Sequence, residues 1–182
     1  MSSTVSRIRA RSSSRFSAAV VVIATLATWV GLCPRSAGAD PGGLAVFVGD
    51  WDLRVRVLQP EPKELRYREH YDWVLNRHFI RGEAGPKPDG TRDHIYGTYD
   101  EENGGYPFWV FSSSGTYLYL PPGTWDAKRR VMEWENPAGL DINYRSHCAF
   151  PGADKRQCHL IIKDWKGRVM QEMEWTAVRR AN

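Results

Sequence analysis

The sequence has no acidic residue before Asp40 and only three cysteines in 182 residues. Two or more cysteine pairs would be needed for a zinc ribbon or a disulfide-dense mini-domain, and both are excluded. No Gly-x-Ser-x-Gly elbow, phosphate-binding glycine loop or His-Glu-x-x-His helix occurs, so the commonest hydrolase, nucleotide and metalloprotease motifs are missing. Helical periodicity is also missing: no segment after residue 40 repeats its apolar residues every three to four positions. The one long apolar run, Ala18–Cys33, falls short of the roughly 20 residues a spanning helix requires.

The acid-free start reads as a targeting segment. Arg7, Arg9, Arg11 and Arg15 precede the apolar run, and Ala37-Gly38-Ala39 follows it with small residues where a signal peptidase reads. The expectation is a cleaved signal peptide over 1–39, with the cut before Asp40, and export to the periplasm or beyond. An uncleaved anchor is the rival. Lipidation at Cys33 is disfavoured by the bulky Leu32 before it. Without the leader's five arginines, 20 basic side chains face 21 acidic ones, a net charge of −1. The basic character of the whole chain thus belongs to the leader, and nothing supports nucleic-acid binding, which needs a basic face.

What remains, 40–182, is one domain's length and carries seven of the eight tryptophans. Its dominant pattern is alternation with period two, broken by turn residues every 8–12 positions. Trp51, Leu53, Val55 and Val57 alternate with Asp52, Arg54 and Arg56. Leu65, Tyr67, Tyr71 and Trp73 share a face opposite Arg66, Arg68, His70 and Asp72. Further strands are read at His78–Glu83, Arg92–Tyr99, Tyr106–Ser112, Thr116–Leu120 (ended by Pro121-Pro122-Gly123), Val131–Glu135, Ile142–Phe150, Gln157–Asp164 and Arg168–Arg179. Leu44–Val48 suits one short helical turn. About ten short strands joined by tight turns predict an all-β, antiparallel up-and-down meander. Closing it into a barrel of about eight to ten strands removes both exposed edges, and leaves an interior that is packed or holds one small ligand.

The two cysteines past the leader, Cys148 and Cys158, are expected to pair in an oxidising compartment, closing a loop of 11 residues. If they face each other, paired positions in that hairpin sum to 306. Ser146 then meets Leu160 and Tyr144 meets Ile162 on one face; His147 meets His159 and Arg145 meets Ile161 on the other. A slip of one residue would mix the two faces.

Several motifs recur in a familiar order: Gly49-Asp50-Trp51, Val74-Leu75-Asn76-Arg77-His78-Phe79-Ile80, Ile95-Tyr96-Gly97-Thr98-Tyr99-Asp100, Gly123-Thr124-Trp125-Asp126, and Glu174-Trp175-Thr176 with Arg179. Over roughly 47–180 the chain resembles a bacterial domain-of-unknown-function family with a lipocalin-like (calycin) barrel. The resemblance implies a central cavity and hands over no catalytic residue. It also implies that Gly49 and Trp51 are structural, with Trp51 packed against Arg179 or Arg180 to close the barrel.

Candidate site residues follow from the faces. Glu69 lies between Tyr67 and Tyr71 on the apolar face of its strand. It is either a ligand-orienting acid or one half of an ion pair with an inward arginine, unless a bulge turns it outward. Tyr71, Trp73, Trp109, Tyr119, Trp134 and Tyr144 could line a pocket, and the plainer alternative is a filled core. His147 and His159 sit side by side on the polar face without a third ligand, so no metal is expected. His78 and His94 could be lumenal, and a barrel histidine can ligate haem; no second feature supports a cofactor. Glu133/Glu135 and Glu172/Glu174 are spaced as acid pairs but read as solvated. Ser112-Ser113-Ser114-Gly115 reads as a turn. The leading expectation is a binding module for a small apolar or amphipathic molecule. A packed barrel with a structural or envelope role comes second, and a lumenal enzyme third. Nothing in the sequence sets an oligomeric state.

Overall fold

A computed structural model describes residues 42–136 and 141–181. The leader, its cleavage point and Cys33 lie outside these residues. A short helix, α1 (Gly42–Ala45), precedes ten strands. They are β1 (Gly49–Gln59), β2 (Lys63–Val74), β3 (Phe79–Ala84), β4 (Asp93–Thr98) and β5 (Tyr106–Ser112). The second half adds β6 (Tyr117–Asp126), β7 (Val131–Glu135), β8 (Ile142–Ala149), β9 (Lys155–Asp164) and β10 (Val169–Arg179). Each strand runs antiparallel to its neighbour in sequence, and β1 pairs with β10 to close the barrel. Closure satisfies the edges that a ten-stranded meander would leave open.

The alternation decides what faces inward. In β1, Trp51, Leu53, Val55 and Val57 are buried while Asp52, Arg54 and Arg56 are exposed. The exposed charges pair across strands, as Arg54 with Glu64, Arg56 with Glu174 and Arg145 with Glu135. Solvated pairs of this kind are screened by water and salt, so about 20 inward apolar side chains, not the charges, hold the barrel together. The β8–β9 hairpin adopts the register set by the cysteines, with Cys148 opposite Cys158, Ser146 opposite Leu160 and His147 opposite His159. Two inward positions of adjacent strands are glycine because ring faces lie there. A methyl group on Gly82 would come within 2.4 Å of the Tyr71 ring, and one on Gly97 within 2.6 Å of Phe108.

Two expectations need correction. The prolines do not end β6: the strand runs on through Pro121 and Pro122 to Asp126. The β5–β6 ladder is irregular there, passing from Phe108↔Leu120 to Tyr106↔Gly123. Pro107, Pro121 and Pro122, which have no N–H to donate, fall in the gap that this bulge opens. The helical turn also begins earlier than read, at Gly42, and continues by hydrogen bonds from Phe47 N to Leu44 O and from Val48 N to Ala45 O.

Cys148 and Cys158 are joined by a disulfide on the inner face. Its loop is short, so the chain-entropy model gives it about 2–3 kcal/mol. Replacing both cysteines by alanine is expected to lower the unfolding free energy measured in urea by about that amount, with the slope unchanged or slightly raised because the unfolded chain is released from its cross-link. A double variant as stable as the parent would show that the closed barrel already confines the hairpin.

Candidate functional site

The lumen is plugged at one end. The 42–48 segment folds across the barrel mouth and buries Leu44 and Phe47. The Phe47 ring lies 5.0 Å from Phe150, 5.4 Å from Phe108 and 5.9 Å from Tyr71, the first contact edge-on and the other two tilted, so three rings hold it. Trp51 donates from Nε1 to the Phe47 carbonyl at 2.6 Å. Arg179 lays its guanidinium 4.2 Å from the Trp51 ring centroid and donates to the carbonyls of Val46 and Val48. Arg179 therefore fastens the plug to the strand that ends the chain, and Gly49 leaves it room: a Cβ there would collide with the guanidinium.

Above the plug a cavity of about 190 Å3 remains. Most of its wall is apolar, from Val55, Ile95, Phe108, Val110, Leu118, Leu120, Leu160 and Met173. Val110, Leu118, Leu120, Met173 and Trp175 are only partly buried, so the cavity opens towards solvent at the end opposite the plug. Two larger depressions on the outer wall are bordered by solvent-facing Arg54, Arg66 and Arg68 or by Arg56 and Glu174. Several of these charges already have partners across the strands.

One wall of the cavity is polar. Arg156 is 2% exposed and its Nη2 donates to Glu69 Oε2 across the barrel floor. Its guanidinium also lies 5.2 Å from the Trp51 ring, 5.4 Å from Phe47 and 5.6 Å from Tyr71. Burial alone would lower the Arg156 pKa; the opposed charge of Glu69 and the Tyr71 hydroxyl outweigh it and hold the guanidinium charged. Higher on the same wall, Asp93 accepts from Lys87 Nζ at 2.5 Å, and that ammonium lies 5.8 Å from the Tyr67 ring. Arg156 Nε, Asp93 Oδ1 and the Tyr144 hydroxyl are buried without a hydrogen-bond partner.

The structure brings Glu69, Tyr71 and Trp134 to the cavity wall. Glu69 is the ion-paired acid of the structural alternative. Tyr144 is buried on the same inner face, beside the lining rather than in it. Trp73 is partly buried at the plugged end, where Arg77 stacks 5.0 Å from its ring. Trp109 and Tyr119 are not lumenal. They pair across β5 and β6 on the outer wall, their rings 5.4 Å apart, with Tyr119 43% exposed. Phe108 and Leu120, one position away in each strand, take the inward places. His78 and His94 are exposed, which removes them as lumenal ligands.

His147 and His159 face each other outside with ring centroids 5.8 Å apart, and His159 Nε2 sits 2.9 Å from Glu172. Among the described residues no group of three or more ligating side chains converges. Glu133 and Glu135 are exposed and Glu174 pairs with Arg56. Arg156 was absent from the sequence-based candidates. The clue was its position two residues before Cys158, which puts it on the cystine's inward face.

The buried tyrosines make the barrel sensitive to alkali. Burial pushes the Tyr71 hydroxyl far above its ordinary pKa, the charge of Glu69 pushes it further, and Arg156 offsets part of this. Tyr67 is raised by the same causes, with Asp93 adding to them. In the unfolded chain these hydroxyls release protons near pH 10, while the folded ones keep theirs. The unfolded state then binds fewer protons, so this stability is intact below about pH 10 and falls above it, by about 1.4 kcal/mol per pH unit for each group. Urea midpoints between pH 8 and 11 are expected to fall less steeply for Tyr71→Phe than for the parent. Parallel profiles would remove Tyr71 as a cause.

No family model matches the sequence, and no curated protein matches it. Among solved structures, Rv2717c from M. tuberculosis is similar at 15% identity and a TM-score of 0.59, over 78% of this chain and 97% of that one. The S-type phycobiliprotein lyase CPES from Guillardia theta matches at 15% identity and 0.45, over 76% and 90%. A protein of unknown function from the DUF3598 family of Nostoc punctiforme matches at 10% identity and 0.43, over 75% and 48%. Only the first superposes well enough to bear on the architecture, and at that identity it shows the barrel alone.

Proposed function

We propose that this chain is an exported barrel that binds one small, largely apolar molecule in its lumen. The observation that carries the reading is the cavity of about 190 Å3, walled by apolar side chains and faced on one side by fixed polar groups. That composition is typical of small-molecule sites. The volume is below the roughly 300–1,000 Å3 of drug-sized pockets and slightly above the roughly 150 Å3 that accepts benzene. It suits one ring with a short substituent, or the inserted end of a longer amphipathic molecule. Glu69 and Asp93 each carry a cationic partner, which suits positioning better than proton abstraction. Export rests on the basic-apolar-small leader and on the disulfide, which persists in oxidising compartments.

Native mass spectrometry of protein from its own host is expected to show a bound mass that leaves on denaturation. In parallel, 4-ethylphenol should quench tryptophan fluorescence saturably, because Trp134 and Trp175 line the cavity. Val110→Trp, placed at the solvent-facing end, should weaken that binding about tenfold or more with the fold intact by circular dichroism. An unliganded mass together with no saturable quenching would refute the reading.

A further inference from the structure

The lumen offers more than apolar volume. Its wall holds Arg156 and Asp93, and each has one buried polar atom without a partner, a donor at Nε and an acceptor at Oδ1. At the same time the charges are matched: Arg156 is opposed by Glu69, and Asp93 by Lys87. We infer that the guest is an uncharged single-ring molecule with both a hydrogen-bond acceptor for Arg156 and a hydroxyl or amide donor for Asp93. This rests on the lumen-binding reading above and narrows its ligand class.

The two observations act in different directions. An unpartnered donor or acceptor in an apolar cavity is costly, and a guest that pairs it recovers that cost. A hydrocarbon guest would leave both atoms bare. A carboxylate or an amine would pair one of them. It would then bring a net charge into a site whose charges are already balanced, and would lose its hydration without an unopposed counter-charge. A neutral guest with an acceptor and a donor avoids both penalties. Arg156 is also held in place before binding, by Glu69 on one side and by the rings of Trp51, Phe47 and Tyr71 within 5.6 Å. A donor fixed in this way loses little freedom when it is used.

Calorimetric titration of the full barrel with five probes tests this: ethylbenzene, 4-ethylphenol, 4-hydroxyacetophenone, 4-hydroxybenzoate and tyramine. The expected order puts 4-hydroxyacetophenone first, about tenfold or more above ethylbenzene and above both charged probes. Asp93→Ala should reduce binding of the two neutral phenols about tenfold more than that of ethylbenzene. The double variant Glu69→Leu/Arg156→Met, which removes the buried pair together, should still bind ethylbenzene and should level 4-hydroxyacetophenone with 4-ethylphenol. Tightest binding by 4-hydroxybenzoate or tyramine would overturn the inference. So would a ranking that neither variant alters. In both cases lumen binding itself would stand. Failure of all five probes, ethylbenzene included, would overturn the inference together with the reading beneath it.

Discussion

Arg156→Met alone is expected to destabilise the barrel by about 3–5 kcal/mol, a large part of the 5–15 kcal/mol that a typical domain has in total. The cause is the carboxylate left behind. Glu69 is 8% exposed, and Arg156 is the cation paired with it. Without that cation the largely buried carboxylate beside Trp51 and Tyr71 loses its hydrogen-bonded counter-charge. Glu69→Leu alone leaves the mirror-image problem, a buried guanidinium facing three aromatic rings. Removing both charges is different in kind. Replacing a buried ion pair by apolar residues of similar volume is often neutral or stabilising, so Glu69→Leu/Arg156→Met should recover most of the loss. Urea unfolding of the three variants measures this directly. Additive losses in the double variant would mean that the pair is not what sets the cost.

That pair also marks where the sequence could and could not be read. The barrel was legible because alternation, turn spacing and the cysteine positions agree. Fixing Cys148 opposite Cys158 sorts every residue of the β8–β9 hairpin to a face, and the observed register is the one that sorting requires. Glu69 was legible as an inward acid because apolar neighbours flank it at i−2 and i+2. Its partner was harder to see. Arg156 stands at the end of the charged run Asp154-Lys155-Arg156, just before the strand read from Gln157, where it reads as solvated loop. Only its phase relative to Cys158 betrays its direction, and the contact spans 87 residues of chain. Trp109 and Tyr119 were misplaced for another reason. Tyr106-Pro107-Phe108-Trp109-Val110-Phe111 is large and apolar at every position, so alternation carries no information there. The bulge at Pro107 and the prolines of β6 further detach the phase of the upper strand from the lower. Local pattern assigns a face only where polar residues mark the other one.

Trp51→Ala should cost about 3–5 kcal/mol and lower the melting temperature by about 10 °C or more, the range for a fully buried tryptophan in a domain of this size. Trp51 is 0% exposed and stands at the one place where three parts of the closure meet. In register it lies between Arg179 of β10 and Glu69 of β2, so it spans the seam that turns the meander into a barrel. Its ring lies 4.2 Å from the Arg179 guanidinium and 5.2 Å from that of Arg156, so two cations use its faces. Its indole N–H holds the Phe47 carbonyl and hence the plug. Alanine removes all three functions and leaves a void that the surrounding strands cannot collapse to fill. Phenylalanine keeps most of the ring area and loses the hydrogen bond, so Trp51→Phe should cost only about 1–2 kcal/mol. The alanine variant should also become open to limited proteolysis around 42–48 under conditions where the parent resists, because the plug has lost its anchor. Equal losses for the two variants would locate the effect in the single hydrogen bond. A loss below about 1 kcal/mol for alanine would show that Arg179 and its carbonyl partners close the barrel without the ring.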